Sequence, residues 1–264
     1  MIQLESIDVT FEPGTPLEKV ALQGLNLTIT TGQFVTVIGS NGAGKSTLLN
    51  VLSGEIRPDR GRVTIEDQDV TKWPTYKRAK LVARVFQNPL AGSCADLTIE
   101  ENLALAYRRG RSRKLGKALT AKVRQDFRLQ LARLELGLED RLGDRMGLLS
   151  GGQRQAVSLL MSGLASNQIL LLDEHTAALD PKTADYVLRL TRELVSERQL
   201  TTLMVTHSMK QALMLGDRTI MMHEGQVILD VAGEARSRLT VNDLLQQFSQ
   251  LRGEELADDA LLLD

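Results

Sequence analysis

The sequence predicts an α/β fold with a central parallel sheet, and three apolar segments carry this prediction. Residues 34–38 are an apolar run that leads into a glycine-rich loop, and residues 47–52 then have the pattern of the first turns of a helix. Residues 169–172 are a second apolar run, which ends in two acids. Residues 201–206 form a third, which ends before a histidine. Buried parallel strands are continuously apolar in this way, and their carboxyl ends meet at one edge of the sheet.

Composition narrows the class of protein. A chain of 264 residues with 42% hydrophobic content can bury the interior of one large domain, or of two modest ones that share a core. The net charge of −1 gives the whole molecule no attraction to nucleic acid, which is therefore not an expected partner. A single cysteine, Cys94, excludes an internal disulfide and favours a reducing compartment. The chain shows neither a leader pattern nor about 18 consecutive apolar residues, so we expect a cytosolic protein unless a partner holds it at a membrane.

The glycine-rich loop after the first strand predicts a phosphate site. Glycines permit backbone angles that aim successive N–H groups inward, and the helix N-terminus adds partial positive charge. Strand, glycine loop and helix in this order are the context of a nucleotide phosphate loop. We expect Lys45 to reach the β- and γ-phosphates and the Ser46 hydroxyl to bind Mg²⁺. The loop consists of Gly39, Ser40, Asn41, Gly42, Ala43, Gly44, Lys45, Ser46 and Thr47.

The acids and the histidine at the strand ends suit nucleotide hydrolysis. Asp173 has the position of a Mg²⁺ ligand, and Glu174 that of a base that orients an attacking water. Alone, a strand that ends in Asp-Glu is often structural, but the phosphate loop upstream favours the functional interpretation. His207 would reach the same sheet edge, where its imidazole can hydrogen-bond a γ-phosphate or the water.

A second glycine loop lies between these segments. Residues 149–155 read LSGGQRQ and open the helical stretch 156–165. The same argument from N–H groups and helix dipole predicts a second anion site there. The residues alone thus indicate two phosphate contacts on distinct parts of the chain.

Taken in order, these motifs resemble the ATP-binding subunits of ABC transporters, over about residues 2–230. The most specific element is the signature sequence, because other P-loop ATPases lack it. The resemblance implies a P-loop NTPase fold with a RecA-like mixed sheet core, an antiparallel β subdomain and an inserted α-helical subdomain. The matching motifs are the Walker A loop at 39–47, Gln87 after the strand 81–86, the signature at 149–155, the Walker B strand at 169–174, the D-loop at 177–180 and the switch His207.

The resemblance also implies a domain division. The ABC ATPase domain would span residues 1–232, with the core at about 1–87 and 167–232 and the helical subdomain at about 88–166. Within the subdomain, Thr98 and Glu101 predict a capping box at a helix start. Residues 233–264 would form a C-terminal amphipathic helix, near 240–248, and an acidic tail.

In the ABC family, two subunits pack head to tail, and each ATP lies between the Walker A loop of one and the signature of the other. The Walker A loop, with Lys45, would hold the phosphates, while Ser46, Asp173 and Gln87 would hold Mg²⁺. Glu174 would activate water, His207 would sense the γ-phosphate, and Gln87 would also couple nucleotide state to a partner. Contacts with the opposing ATP and the dimer interface would come from Ser150, Gly151, Gly152, Gln153 and Asp180.

Phe11 and His175 are two further positions that the resemblance covers. Phe11 occupies the place where the family stacks an aromatic ring on adenine, and a core phenylalanine is the alternative. His175 follows Glu174 where the family usually carries proline. This departure leaves both acids in place, so we expect hydrolysis to be kept and the local backbone to be less rigid.

The expected function is that of an ATPase subunit that powers a membrane transporter. Residues 85–97 and 173–176 resemble importer ATPases associated with amino acids, including tryptophan and tyrosine systems. Expected partners are a second copy, a membrane permease and a periplasmic or lipoprotein substrate-binding protein, with the subunit peripheral on the cytoplasmic face of the cell membrane. The alternative is a non-transport ABC ATPase, for example of the cell-division type.

A basic stretch at residues 108–117 has no acid within it. It is either a solvated loop or a segment that lies near an anionic membrane surface or an acidic partner loop.

Overall fold

The computed structural model describes residues 1–111, 117–165 and 167–252. The chain divides into two compact units, Met1–Thr75 with Thr201–Asp264 and Tyr76–Leu200. The boundaries predicted for the core and the helical subdomain differ from this division and remain predictions. Residues 112–116 of the basic stretch, Ser166 and the acidic tail lie outside the described residues.

The described elements alternate between strand and helix along much of the chain. The strands are β1 (Ile2–Phe11), β2 (Lys19–Ile29), β3 (Phe34–Gly39), β4 (Arg60–Ile65), β5 (Gln68–Asp69), β6 (Val82–Val85), β7 (Ile169–Asp173), β8 (Thr201–Val205), β9 (Arg218–His223) and β10 (Gln226–Ala232). The helices are α1 (Lys45–Ser53), α2 (Thr75–Arg78), α3 (Ile99–Tyr107), α4 (Ala121–Ala132), α5 (Gly151–Leu164), α6 (Pro181–Arg198), α7 (Met209–Met214), α8 (Gly233–Ser237) and α9 (Val241–Arg252).

The first unit contains an antiparallel sheet of order β2-β1-β4-β5. In β1, Ile2 and Leu4 are buried and pair with Ile29 and Leu27 of β2. Buried and exposed positions alternate along β2 from Gly24 to Ile29, as expected of a strand with one face on the core. This sheet is the antiparallel β subdomain that the family resemblance implied.

The first unit also contains parallel strands, in which β3 lies between β8 and β9. Every residue of β3 is buried, because neighbours cover both faces of the strand. This explains why its sequence is continuously apolar rather than alternating. The next strand, β10, returns antiparallel to β9 and makes this part of the sheet mixed.

Helix α9 lies in the region where the sequence predicts a C-terminal amphipathic helix. Leu244 and Phe248 are buried in a cluster with Met209 and Ala212 of α7. At the helix start, the Thr240 hydroxyl accepts a hydrogen bond from the Asp243 N–H at 3.3 Å. The helix therefore covers part of the core of the first unit.

The second unit has a parallel strand pair and a helical part. Strand β6 pairs with β7, with Val82 opposite Ile169. Helices α3, α4 and α5 share an apolar cluster that includes Leu103, Phe127 and Val157. The predicted capping box is confirmed, because the Thr98 hydroxyl accepts from the Glu101 N–H and the Glu101 carboxylate accepts from the Thr98 N–H.

Within the described part of the chain, no helix is both long and apolar enough to cross a membrane.

Candidate functional site

The glycine-rich loop of the first unit connects β3 to α1. Gly39 has φ +147° and Gly44 has φ +96°. A Cβ at Gly39 would lie 2.2 Å from the carbonyl oxygen of Met222, and one at Gly44 would lie 2.4 Å from that of Ala21. Both positions therefore require glycine, for backbone conformation and for space.

The loop holds the charge of Lys45. This residue begins α1, and only 5% of it is exposed. Its Nζ donates to the carbonyl oxygens of Gly39 at 2.6 Å and Ser40 at 2.9 Å. Next to it, Ser46 is exposed at the helix N-terminus, where N–H groups and dipole favour an anion.

The turn between β9 and β10 contacts this loop and supports its conformation. The N–H of Gly225 donates to the carbonyl oxygen of Ala43 at 3.1 Å. A Cβ built on Gly44 would lie 3.4 Å from the Gly225 Cα. The loop conformation is thus supported by a hairpin about 180 residues later in the chain, a contact that the sequence did not predict.

His207 lies at the same sheet edge as the glycine loop, as predicted. Strands β3 and β8 run parallel, with Val37 opposite Val205, so both chains leave the sheet at one end. The His207 ring is partly buried. At the end of β1, Phe11 is 40% exposed, which excludes the alternative of a core phenylalanine and leaves its ring able to stack on a planar ligand.

In the second unit, Asp173 ends β7 and forms an ion pair that the sequence analysis missed. Its Oδ2 accepts from the Arg84 guanidinium at 2.6 Å, and the two side chains are 14% and 9% exposed. The guanidinium also lies 4.7 Å from the ring centre of Phe86. The signal available in the sequence was a cation within the apolar strand β6.

The side chain of Glu174 lies within hydrogen-bond distance of Gln87. The Gln87 amide donates to Glu174 Oε2 at 3.1 Å, and Gln87 follows β6 by two residues. Glu174 itself has φ +44°, a left-handed conformation that a residue other than glycine rarely adopts. The second unit therefore gathers both acids and Gln87 at the ends of its paired parallel strands.

His175 is buried and has a hydrogen-bond partner, whereas the sequence predicted only a less rigid backbone at this position. The ring is buried, with 2% of the residue exposed, and its Nε2 lies 3.0 Å from the Thr191 hydroxyl of α6. Burial lowers the pKa of His175 to about 4, because an imidazolium loses its hydration there. The side chain thus connects the turn after β7 to α6.

The signature residues begin helix α5. The Ser150 hydroxyl accepts from the Gln153 N–H at 3.2 Å, and the Gln153 amide oxygen accepts from the Ser150 N–H at 3.2 Å. This capping box leaves Gly151 and Gly152 in the first turn, where N–H groups lack intrahelical acceptors. A Cβ at Gly152 would lie 2.3 Å from Thr183 Cγ2, so glycine permits the approach of α6.

Asp180 caps α6 beside the signature. Its carboxylate accepts from the Thr183 N–H at 3.1 Å, and hydrogen bonds from the Thr183 side chain and backbone lower the pKa of Asp180. A groove in the second unit is lined by the signature and by the first turns of α6, including Ser150, Gly152, Lys182 and Arg189. The groove also carries the carboxylates of Glu135 and Asp185, so its suitability for an anionic ligand rests on the Ser150 hydroxyl and the N–H groups of the first turn of α5.

The site residues are divided between the two units. Lys45, Ser46 and His207 belong to the first unit. The acids that end β7, Gln87 and the signature belong to the second. Each set has the chemistry of a phosphate-handling site.

Comparison with known proteins also indicates an ATP-binding subunit of an ABC transporter. A family model described as ABC transporter matches residues 22–177. A tyrosine transport ATP-binding protein of Clostridioides difficile is 45% identical over 248 residues, which are 94% of this chain and 98% of that protein. An energy-coupling factor transporter ATP-binding protein of Clostridium tetani is 34% identical over 87% of this chain and 78% of that protein.

A solved structure agrees in fold. It is a dimeric ATP-binding cassette in a post-hydrolysis state bound to ADP and Pi, with a TM-score of 0.75, 30% identity, and coverage of 88% of this chain and 98% of that chain. The predictions of fold class, family and ATPase activity are confirmed. The chain belongs to the ABC transporter family, in which it is an ATP-binding subunit that hydrolyses ATP to power a membrane transporter.

Proposed function

We propose that this subunit powers the import of an amino acid, with tyrosine as the first candidate. The observation that carries the proposal is the 45% identity, over 98% of its length, to a protein named for tyrosine transport. Residues 85–97 and 173–176, which resemble amino-acid importers, agree with this assignment. No observation favours the alternative of a non-transport ABC ATPase.

The Walker A loop is the proposed phosphate site. Phosphate oxygens would replace the carbonyl groups of Gly39 and Ser40 as partners of the Lys45 ammonium, which the loop already holds in place. The loop N–H groups, from residue 39 to residue 47, would bind the remaining charge. The exposed Phe11 would stack on adenine.

Mg²⁺ fits the side chains assigned to it. Ser46 presents an exposed hydroxyl, and Asp173 presents a carboxylate whose Oδ2 is committed to Arg84. The Gln87 amide group donates through its nitrogen to Glu174, so its oxygen is the atom suited to a cation. Hard oxygen ligands of this kind are what Mg²⁺ prefers. The ion would supply charge neutralisation on the phosphates.

Glu174 is the proposed general base. Its carboxylate would orient and deprotonate the attacking water, and His207 would hydrogen-bond the γ-phosphate. The hydrogen bond from Gln87 gives Glu174 a defined direction. Most of the rate would come from positioning and charge neutralisation, without a covalent intermediate.

A second copy of the chain would complete each ATP site, as a head-to-tail dimer. The structural relative bound to ADP and Pi is dimeric, which supports this proposal. The groove at Ser150 and Gly152 would then receive the phosphates held by the other copy's Walker A loop. Gly151 and Gln153 lie in the same first turn, and Asp180 would organise the interface.

A membrane permease is the proposed transport partner, with the subunit peripheral on the cytoplasmic face of the membrane. A groove in the second unit is lined by Tyr76 and Leu105, which are 79% and 61% exposed, and by the cationic side chains of Arg108, Arg109 and Arg111. Exposed aromatic and aliphatic groups flanked by cations suit a permease loop that carries acidic residues. A periplasmic or lipoprotein substrate-binding protein would complete the system.

Two experiments test the proposal. The first is uptake of radiolabelled tyrosine, tryptophan and thiamine by cells that carry either the wild-type chain or Lys45→Ala. Loss of tyrosine or tryptophan uptake alone supports the assignment, and unchanged uptake of both refutes it.

The second experiment is an affinity pull-down of tagged Glu174→Gln from detergent-solubilised membranes with ATP. Recovery of a multi-span permease supports the transport assembly, whereas recovery of cell-division proteins contradicts it.

A further inference from the structure

We propose that His175 is a positioning residue that ties the turn carrying Glu174 to helix α6, and thereby sets the direction of the Glu174 carboxylate. The inference rests on the proposed role of Glu174 as general base. It concerns a buried side chain that would act through its neighbour.

The backbone at Glu174 needs an external constraint. Its φ of +44° is left-handed, a conformation that costs a side-chain-bearing residue about 1–2 kcal/mol. Such conformations persist where the surrounding structure enforces them. The Ala177 N–H closes the following turn by donating to the Glu174 carbonyl oxygen at 3.0 Å. That bond holds the turn together but does not attach it to the rest of the unit.

The His175 ring attaches this turn to helix α6. Its Nε2 lies 3.0 Å from Thr191 Oγ1, in the middle of α6, and both residues are buried, with 2% and 0% exposed. A hydroxyl has one hydrogen, and Thr191 donates it to the carbonyl oxygen of Val187 at 2.8 Å. The Thr191 oxygen therefore accepts from the ring, which requires a hydrogen on Nε2.

This arrangement defines the place of one ring proton and one direction of hydrogen bonding. The His175 ring carries a proton on Nε2, because the hydrogen of the Thr191 hydroxyl is donated to Val187. The hydrogen bonds run from His175 to Thr191 and then to the backbone of α6. A buried and fully directed pair of this kind holds a side chain to one orientation.

The consequence for Glu174 follows from the chain. The peptide between Glu174 and His175 is planar, so a fixed His175 limits the Glu174 backbone. The carboxylate is held from its other end by the Gln87 amide at 3.1 Å. Loss of the His175 contact should therefore misdirect the base and lower kcat, while the Walker A loop continues to bind ATP.

The test uses four single variants of the full chain and their ATP hydrolysis kinetics. His175→Ala and Thr191→Val each remove the hydrogen bond, and we expect a loss of about 10- to 100-fold in kcat, as for a misplaced catalytic group, with KM for ATP within about twofold. His175→Gln keeps an N–H near the Nε2 position and Thr191→Ser keeps the hydroxyl. Both should stay within about threefold of wild type.

The double variant His175→Ala/Thr191→Val separates positioning from general damage. If the two residues act as one contact, the double variant is no slower than the slower single variant. Effects that multiply, or wild-type kcat in either single variant, overturn the inference. Thr191→Val is nearly isosteric, so it carries the test if His175→Ala does not fold.

A second readout does not involve hydrolysis. The chain has 3 histidines, so nuclear magnetic resonance of nitrogen-labelled histidine can resolve each ring, and His175→Gln identifies the signal. At neutral pH we expect a proton on Nε2, and Thr191→Val should shift the signal. A ring without a proton on Nε2 overturns the inference. Hydrolysis that Glu174→Gln leaves unchanged would instead refute the role of Glu174.

Discussion

Removal of the Arg84 charge gives a quantitative test of how the second unit holds its catalytic acids. Arg84 and Asp173 form an ion pair at 2.6 Å, with side chains 9% and 14% exposed. Arg84→Met keeps an unbranched apolar side chain but leaves the Asp173 carboxylate without this cation. The substitution therefore isolates the charge from most of the packing.

The expected loss of unfolding free energy is about 3–4 kcal/mol. Two unit charges about 4 Å apart interact by about 4 kcal/mol at an effective dielectric constant of about 20. Removal of one partner of a buried ion pair costs about 3–5 kcal/mol in measured cases. The two values agree, because the penalty arises mainly from the carboxylate left buried without compensation.

The assay is urea denaturation of Arg84→Met, Asp173→Asn and the double variant, in chelator and without nucleotide. Since the double variant leaves neither charge unpaired, it should be more stable than the sum of the single losses by about 2 kcal/mol or more. Arg141→Met is a matched control, because Arg141 pairs with Asp144 at 2.7 Å but the side chains are 38% and 42% exposed. It should cost less than about 1 kcal/mol. Equal losses at Arg84 and Arg141, or additive effects in the cycle, would refute the reasoning.

Three further predictions concern the site. Glu174→Gln should keep ATP affinity, lower hydrolysis by at least about 100-fold and accumulate a dimer with ATP on size-exclusion chromatography, and wild-type hydrolysis would contradict its role. Gly44→Ala should weaken ATP binding and stability far more than Gly14→Ala. Both glycines have positive φ, but of the two only a Cβ at Gly44 meets backbone, at 2.4 Å from the Ala21 oxygen. Calorimetric titration with ATP and thermal unfolding measure the two effects, and equal losses in the two variants would argue against the clash. The pKa of His175 falls from 6.5 to about 4 on folding, so protonation favours the unfolded chain. Between pH 6.5 and pH 4, the free energy of unfolding should therefore decrease by up to about 3 kcal/mol more in the wild type than in His175→Gln. Denaturation across this pH range measures the difference, and parallel curves for the two proteins would contradict the prediction.

The sequence was sufficient to predict the strands, the glycine loop and the helix starts that build the site. Continuous apolar runs indicate strands covered on both faces, and β3, β7 and β8 are such strands. The capping boxes at Thr98 and Ser150 depend on side chains three residues apart, so local sequence contains all their partners. Order of motifs along the chain was enough to predict the family.

The contacts that hold the catalytic groups in place were decided by the tertiary structure. Arg84 meets Asp173 because β6 pairs with β7, and His175 meets Thr191 because α6 packs against the turn after β7. Gly39 needs to be glycine because the Met222 carbonyl lies beside it in the sheet. Each of these pairs depends on which elements become neighbours. That choice is made by burial of the whole apolar surface, a property of the packed chain and of no local pattern.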